Sequence, residues 1–231
     1  MKKFIWFDLG YTLLYLKREG AYKRALSEFG FDISLQEIER GFHFMDKLFM
    51  REFPGYFGGP SECYMLWYVG RLNAYLNVKA DIHDVYYRWM KLRGMQPRQW
   101  EAYPFCRRTL SELRASGVRT GVISNWDSSA RPILAELELD DCFEHIVISS
   151  EIGIEKPDVR IFNHAMELAG VRADDCLYIG DNYYDDAVGS RAAGMDCMVI
   201  NRFGRFGVEE IEDCEIIDDI RAVSAFCGAG A

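Results

Sequence analysis

Hydrophobic positions change their period twice along the 231-residue chain. Phe4 to Phe7 is an apolar run too short for a helix, and it stops at the polar stretch Asp8-Leu9-Gly10-Tyr11-Thr12. That pattern predicts a buried strand ending in a turn. From about Lys17 the spacing becomes helical: Ala21, Ala25, Leu26 and Phe29 recur on one face, and Gly30 supplies a stop. Ser34 and Glu37 then match a capping box, in which hydroxyl and carboxylate satisfy free amides at a helix start. Ile38, Phe42, Met45 and Phe49 continue the apolar face. An aromatic loop from Phe53 to Pro60 follows, then helical segments near 61–77 and 81–93. Residues 16–97 therefore read as an all-helical block.

Beyond Pro104, helical segments alternate with short β-branched runs. Val118 to Ile123 ends at Ser124-Asn125, Ile146 to Ile148 at Ser149-Ser150, Leu177 to Ile179 at Gly180-Asp181, and Met198 to Ile200 at Asn201. Helices expected at about 105–116, 127–139, 159–170 and 183–193 complete βα units, which signal a parallel sheet covered on both faces. The predicted architecture is α/β: a three-layer, doubly wound parallel sheet built from residues 1–15 and 98–231, with an all-helical insertion at 16–97.

Composition narrows the function classes. Lys and Arg number 27 against 36 Asp and Glu, a formal net charge of −9, and no basic run is dense enough to make a local exception. A nucleic-acid partner and an anionic membrane surface are both excluded on that basis. The seven cysteines form no Cys-x-x-Cys and have no paired histidines nearby, so neither a disulfide framework nor a zinc site is expected. Met1-Lys2-Lys3 before the first apolar run imitates a signal peptide, but Asp8 interrupts it, and no segment approaches the roughly 20 apolar residues of a membrane span. The expected location is cytoplasmic.

Ligands of open parallel sheets bind beyond the carboxyl ends of the strands. Four such ends carry polar groups: Asp8, Ser124 with Asn125, Lys156 slightly downstream, and Asp181. Singly, each has a structural explanation. Asp8 suits a turn, Ser124 a helix cap, Lys156 a solvated loop, and Asp181 and Asp186 the first turn of a helix. Their joint placement is what points to chemistry.

The chain resembles the haloacid dehalogenase-like hydrolase superfamily, in its phosphatase-like branch with a helical cap between the first two motifs. The resemblance rests on Phe7-Asp8-Leu9-Gly10-Tyr11-Thr12-Leu13, Ile123-Ser124-Asn125, Lys156-Pro157-Asp158 and Gly180-Asp181-Asn182-Tyr183-Tyr184-Asp185-Asp186, in that order. It implies a hydrolase of a small phosphomonoester in which Asp8 is the nucleophile and becomes an aspartyl-phosphate. Ser124 and the backbone amide of Asn125 would bind the phosphoryl group, and Lys156 would add fixed positive charge. Mg²⁺, a hard cation, would be held by Asp8, the Gly10 carbonyl and Asp181. Asp186 would support the site by binding a metal water or orienting Lys156, with Asp185 as its rival.

One position departs from the family pattern. Phosphatases of the family carry a second aspartate two residues after the nucleophile, as general acid, where this chain has Gly10. Three readings follow. The acid comes from the cap, with Glu19, His43 and Asp46 as candidates on solvated helix faces, or from water. Alternatively the chemistry is that of a 2-haloacid dehalogenase, or the chain is a catalytically weak module that binds phosphate ligands. Asp181 and Asp186 would serve no purpose without a metal, which favours the phosphatase. The aromatics Phe53, Tyr56 and Phe57 are expected to border the active-site mouth.

Overall fold

The structure is a computed structural model that describes residues 2–58, 63–96 and 99–223. The chain begins with β1 (Phe4–Phe7) and β2 (Leu14–Leu16), followed by the helices α1 (Glu19–Glu28), α2 (Leu35–Glu52), α3 (Met65–Tyr75) and α4 (Ile82–Gly94). Then come β3 (Trp100–Ala102), α5 (Cys106–Ala115), β4 (Arg119–Ser124), α6 (Ala130–Glu136), β5 (His145–Ile148), α7 (Ser149–Ile152) and α8 (Val159–Ala169). The last elements are β6 (Cys176–Gly180), α9 (Val188–Ala192), β7 (Asp196–Ile200) and β8 (Glu215–Ile217). Gly59 and Pro60 of the aromatic loop, the expected boundary at 97–98 and the tail with Cys227 lie outside the described residues.

Two compact units result: Met1–Tyr15 with Ala102–Ala231, and Leu16–Glu101. The first holds a six-stranded sheet in the order β5-β4-β1-β6-β7-β8, with every pairing parallel. β1 is apolar throughout because it is paired on both edges and covered on both faces; all four residues are buried. Phe7 is level with Val122 of β4 and Ile179 of β6, so Asp8, Ser124 and Asp181 emerge at one end of three neighbouring strands. Gly121 permits this packing. A Cβ there would fall inside the Trp6 ring and 2.9 Å from Phe4.

The helical unit has its own core of Tyr22, Phe42, Phe49, Tyr68 and Trp89. The capping box forms at Ser34 and Glu37, and Gly30 has φ +83°. Asp46, expected on a solvated face, is instead buried. It pairs with Arg18 and accepts from Tyr68 Oη at 2.7 Å, while the Arg18 guanidinium lies 4.3 Å from the Phe42 ring centre. Phe53 packs edge-on against Trp67 at 4.2 Å, whereas Tyr56 and Phe57 are exposed.

Three features were not expected from the pattern. The segment foreseen as one helix over 183–193 starts as a π-helical turn, Tyr183–Ala187, before α9. β8 is a three-residue edge strand, and β2 and β3 pair with each other as a separate ribbon. All are too short to register in a hydrophobic period. Among the described residues no helix is long and apolar enough to cross a membrane.

Candidate active site

The strand ends assemble around one ammonium group. Lys156 Nζ lies 2.7 Å from Asp8 Oδ1, 2.6 Å from Asp186 Oδ1 and 3.0 Å from Tyr178 Oη. Asp8 Oδ1 also accepts from Ser124 Oγ at 2.8 Å. Asp8 itself is placed by its main chain, whose N–H donates to Ile179 O at 2.8 Å. Its first carboxylate oxygen is thus held by two donors, while among the described residues no hydrogen bond to Oδ2 is formed.

Asp186 is fully buried and spends both oxygens on structure. Oδ1 accepts from Lys156 and lies 3.1 Å from Tyr178 Oη, and Oδ2 accepts from the Asn182 amide at 2.9 Å. Asp185 faces elsewhere: its Oδ2 accepts from Asn182 Nδ2 at 2.7 Å, and Oδ1 is buried without a partner. Of the two rivals, then, the one that touches Lys156 is Asp186.

Asn125 lies in the site with an additional task. Its side chain accepts from Lys156 N at 2.8 Å and donates to Lys156 O at 2.9 Å, clasping the loop that delivers the lysine to the end of β4. Tyr178 escaped the sequence reading because a tyrosine inside an apolar strand resembles core. Its Oη donates to Ile123 O at 2.8 Å, and burial keeps the phenol protonated, with its pKa well above the ordinary value. The available signal was a single hydroxyl in an otherwise apolar central strand, three residues before Asp181.

Electrostatics follow from burial and pairing. Burial raises the Asp8 pKa; Lys156 opposes the rise and the charge of Asp186 adds to it. Burial also works against the Lys156 ammonium, but Asp186 and Asp8 override it and hold the lysine charged. The Asp185 pKa is pushed from 3.8 up to about 7, chiefly by burial and next by the charge of Asp186. Between those two values the folded chain keeps a proton that the unfolded chain has released. The stability from this group is full below pH 3.8 and is lost as pH rises through about 7. In EDTA, Asp185→Asn should therefore be more stable than the parent at pH 7 by on the order of 2–4 kcal/mol, with the difference vanishing near pH 4. Urea unfolding at both pH values measures this.

Two glycines make room around the site, Gly180 for the Asp186 carboxylate and Gly189 for the Phe162 ring and the Pro157 carbonyl. Gly180 has no unusual φ, yet a Cβ there would fall inside the Asp186 carboxylate and 2.8 Å from its Cβ. At Gly189 a Cβ would stand 2.8 Å from Pro157 O, beside the lysine. Gly180→Ala should displace Asp186, loosen Lys156 and destabilise the fold by about 1–3 kcal/mol, as overpacking does. A melting temperature equal to the parent's would contradict this.

The residues present fit a divalent cation. Asp8, Asp181 and Asp186 each bring a carboxylate oxygen, all within 4.8 Å of one another, and such hard donors suit Mg²⁺. Of the three, Asp186 is engaged through both oxygens, by Lys156 and by the Asn182 amide. Gly10 sits in the turn between Asp8 and β2, bridged to Leu14.

Comparison with known proteins bears on the family and the fold. The family profile of haloacid dehalogenase-like hydrolases matches residues 20–200. Haloacid dehalogenase-like hydrolase domain-containing protein 3 of Danio rerio is 27% identical over 212 residues, 87% of this chain and 85% of that protein. Glyceraldehyde 3-phosphate phosphatase of Pyrococcus furiosus is 32% identical over 121 residues, 50% of this chain and 48% of that protein. The crystal structure of a phosphatase of the same superfamily from Thermococcus onnurineus superposes with a TM-score of 0.59 at 21% identity, covering 99% of this chain and 98% of that one, a likeness of fold. On the profile match and the shared fold, the chain belongs to the haloacid dehalogenase-like hydrolases.

Proposed function

We propose that this hydrolase cleaves small phosphomonoesters, with Asp8 as the nucleophile. The observation that carries the reading is the Lys156 ammonium bridging Asp8 and Asp186, with the Asp181 carboxylate completing a three-acid cluster within 4.8 Å. Phosphoryl transfer needs a positioned nucleophile and positive charge around the phosphoryl oxygens. Relatives named as phosphatases support the same class.

In the first step Asp8 Oδ2 attacks phosphorus and the bond to the ester oxygen breaks, giving an aspartyl-phosphate and an alcohol. Ser124 and Lys156 hold the other oxygen of Asp8 and keep Oδ2 aimed. When substrate binds, the Ser124 hydroxyl turns from Asp8 to the phosphoryl group, which the Asn125 backbone amide also binds. A bound Mg²⁺ would be held by Asp8, the Gly10 carbonyl and Asp181, and would supply positive charge to the phosphoryl oxygens. With glycine at position 10, the departing alkoxide takes its proton from water. In the second step water attacks phosphorus, the Asp8 carboxylate leaves, and inorganic phosphate is released. Asp186 orients Lys156. All of these residues belong to the unit Met1–Tyr15 with Ala102–Ala231, which is the catalytic unit in this reading.

The test is a side-by-side screen of phosphate esters and 2-haloacids, with Mg²⁺ and with EDTA. Metal-dependent phosphate release is expected. Metal-independent halide release would replace the reading with dehalogenation, and phosphate-ester binding without turnover would replace it with a binding module. Gly10→Asp should restore a general acid and raise turnover of an alkyl phosphate by up to about 10²-fold, with a smaller gain for p-nitrophenyl phosphate, whose leaving group needs no proton. Equal gains would mean that protonation is not limiting.

A further inference from the structure

We propose that Cys197 and Cys214 form a reversible disulfide, a redox-modification site at the edge of the sheet behind the motif that carries Asp186. Met198 of β7 is level with Glu215 of β8, so the two cysteines occupy the preceding position of the same parallel pairing. Neighbouring strands lie about 4.8 Å apart, inside the range of Cα separations that a disulfide spans. Cys214 Sγ reaches the Cys197 carbonyl at 3.4 Å, and both residues are free thiols with part of their surface open to solvent. Cys106, Cys142 and Cys176, by contrast, are buried, and the exposed Cys63 belongs to the other unit.

The pair is also chemically asymmetric. A hydrogen bond with the Cys197 thiol, assisted by the Arg191 guanidinium, holds the Cys214 pKa below its ordinary value despite burial. The same hydrogen bond, together with burial, raises Cys197. Cys214 is therefore the attacking thiolate and Cys197 the resolving thiol. The oxidant is a low-molecular-weight disulfide. Cys214 Sγ attacks one of its sulfurs and expels the other half as a thiolate, leaving a mixed disulfide. Cys197 then gives up its proton and attacks Cys214 Sγ, expelling the second half. Two protein thiols are oxidised while one small disulfide is reduced to two small thiols, and a dithiol reverses the process. The bridge would close the 201–213 connection between β7 and β8 at its base, and it does not depend on the reaction assigned to Asp8.

Oxidised glutathione is the probe. The full-length chain is treated, blocked with an alkylating agent and digested with trypsin, which cuts at Arg191, Arg202, Arg205 and Arg221 and so separates the two cysteines. The expected product is a cross-linked pair, Ala192–Arg202 with Phe206–Arg221, about 2 Da below the summed masses and abolished by dithiothreitol. Cys197→Ser should retain glutathione on residue 214, and Cys214→Ser should form no bridge. A stable glutathione adduct on the parent without cross-linking, a bridge between other cysteines, or no reaction would each overturn the proposal. The parent's own peptide map decides the matter even if a variant fails to fold.

Discussion

Replacing Asp8 with asparagine should abolish phosphate release, by on the order of 10⁴ to 10⁶-fold in kcat, without unfolding the protein. The amide oxygen can still accept from Ser124 and Lys156, which now share Asp8 Oδ1, but the group is no longer a nucleophile. Stability should hold or rise in metal-free buffer. In the parent, one ammonium faces two carboxylates, and burial and Asp186 both raise the Asp8 pKa; with the amide, Lys156 and Asp186 neutralise each other. Turnover in a pre-steady-state assay, set beside a urea melt, separates the two outcomes. Inactivity with a collapsed melt would say nothing for Asp8 as nucleophile, and retained turnover would remove it from that role.

Lys156→Met should combine loss of activity with loss of stability. Lys156 is almost wholly buried, and its removal leaves Asp8 and Asp186 facing each other without the cation between them. Breaking a buried pair of this kind costs about 3–5 kcal/mol. The deficit should depend on pH. Asp8 already titrates above its ordinary 3.8 in the folded chain, and losing the lysine raises it further. A raised carboxyl pKa contributes stability that is full below pH 3.8 and lost as pH rises through the folded value, so the variant should be closest to the parent in acid. Mg²⁺ should recover part of the loss at neutral pH, since a ligand that binds only the folded chain stabilises it by mass action. A melting temperature that ignores both pH and Mg²⁺ would mean that the three groups do not act as a unit.

Much of this was legible in the sequence because strands of a parallel sheet announce themselves as apolar runs with polar ends. The runs ending at Asp8, Ser124 and Asp181 became β1, β4 and β6, adjacent strands with their polar residues at one end. Groups whose role lies in a side-chain contact stayed hidden. Asn125 reads as the source of a backbone amide until its side chain is seen holding both main-chain groups of Lys156. Tyr178 reads as core until its hydroxyl is found among Lys156, Asp186 and Ile123. Asp46 reads as solvated because a helical period marks only the centre of a face, and a fraction of a turn decides whether a carboxylate at its border meets water or Arg18.

The strand order also bears on how the chain is made. β1 sits in the middle of the sheet, yet its partners are β4, which starts at Arg119, and β6, which starts at Cys176. At about 5–20 residues per second, a ribosome needs on the order of ten seconds after Phe7 to deliver the first partner, and longer to deliver the second. Throughout that interval Phe4-Ile5-Trp6-Phe7 is an apolar strand with two open edges, and by its end the helical unit, which carries its own core, has been synthesised in full. Of the six strands of this sheet the first to be made therefore waits longest for its partners, and a chaperone has most to protect at residues that are wholly buried in the finished protein.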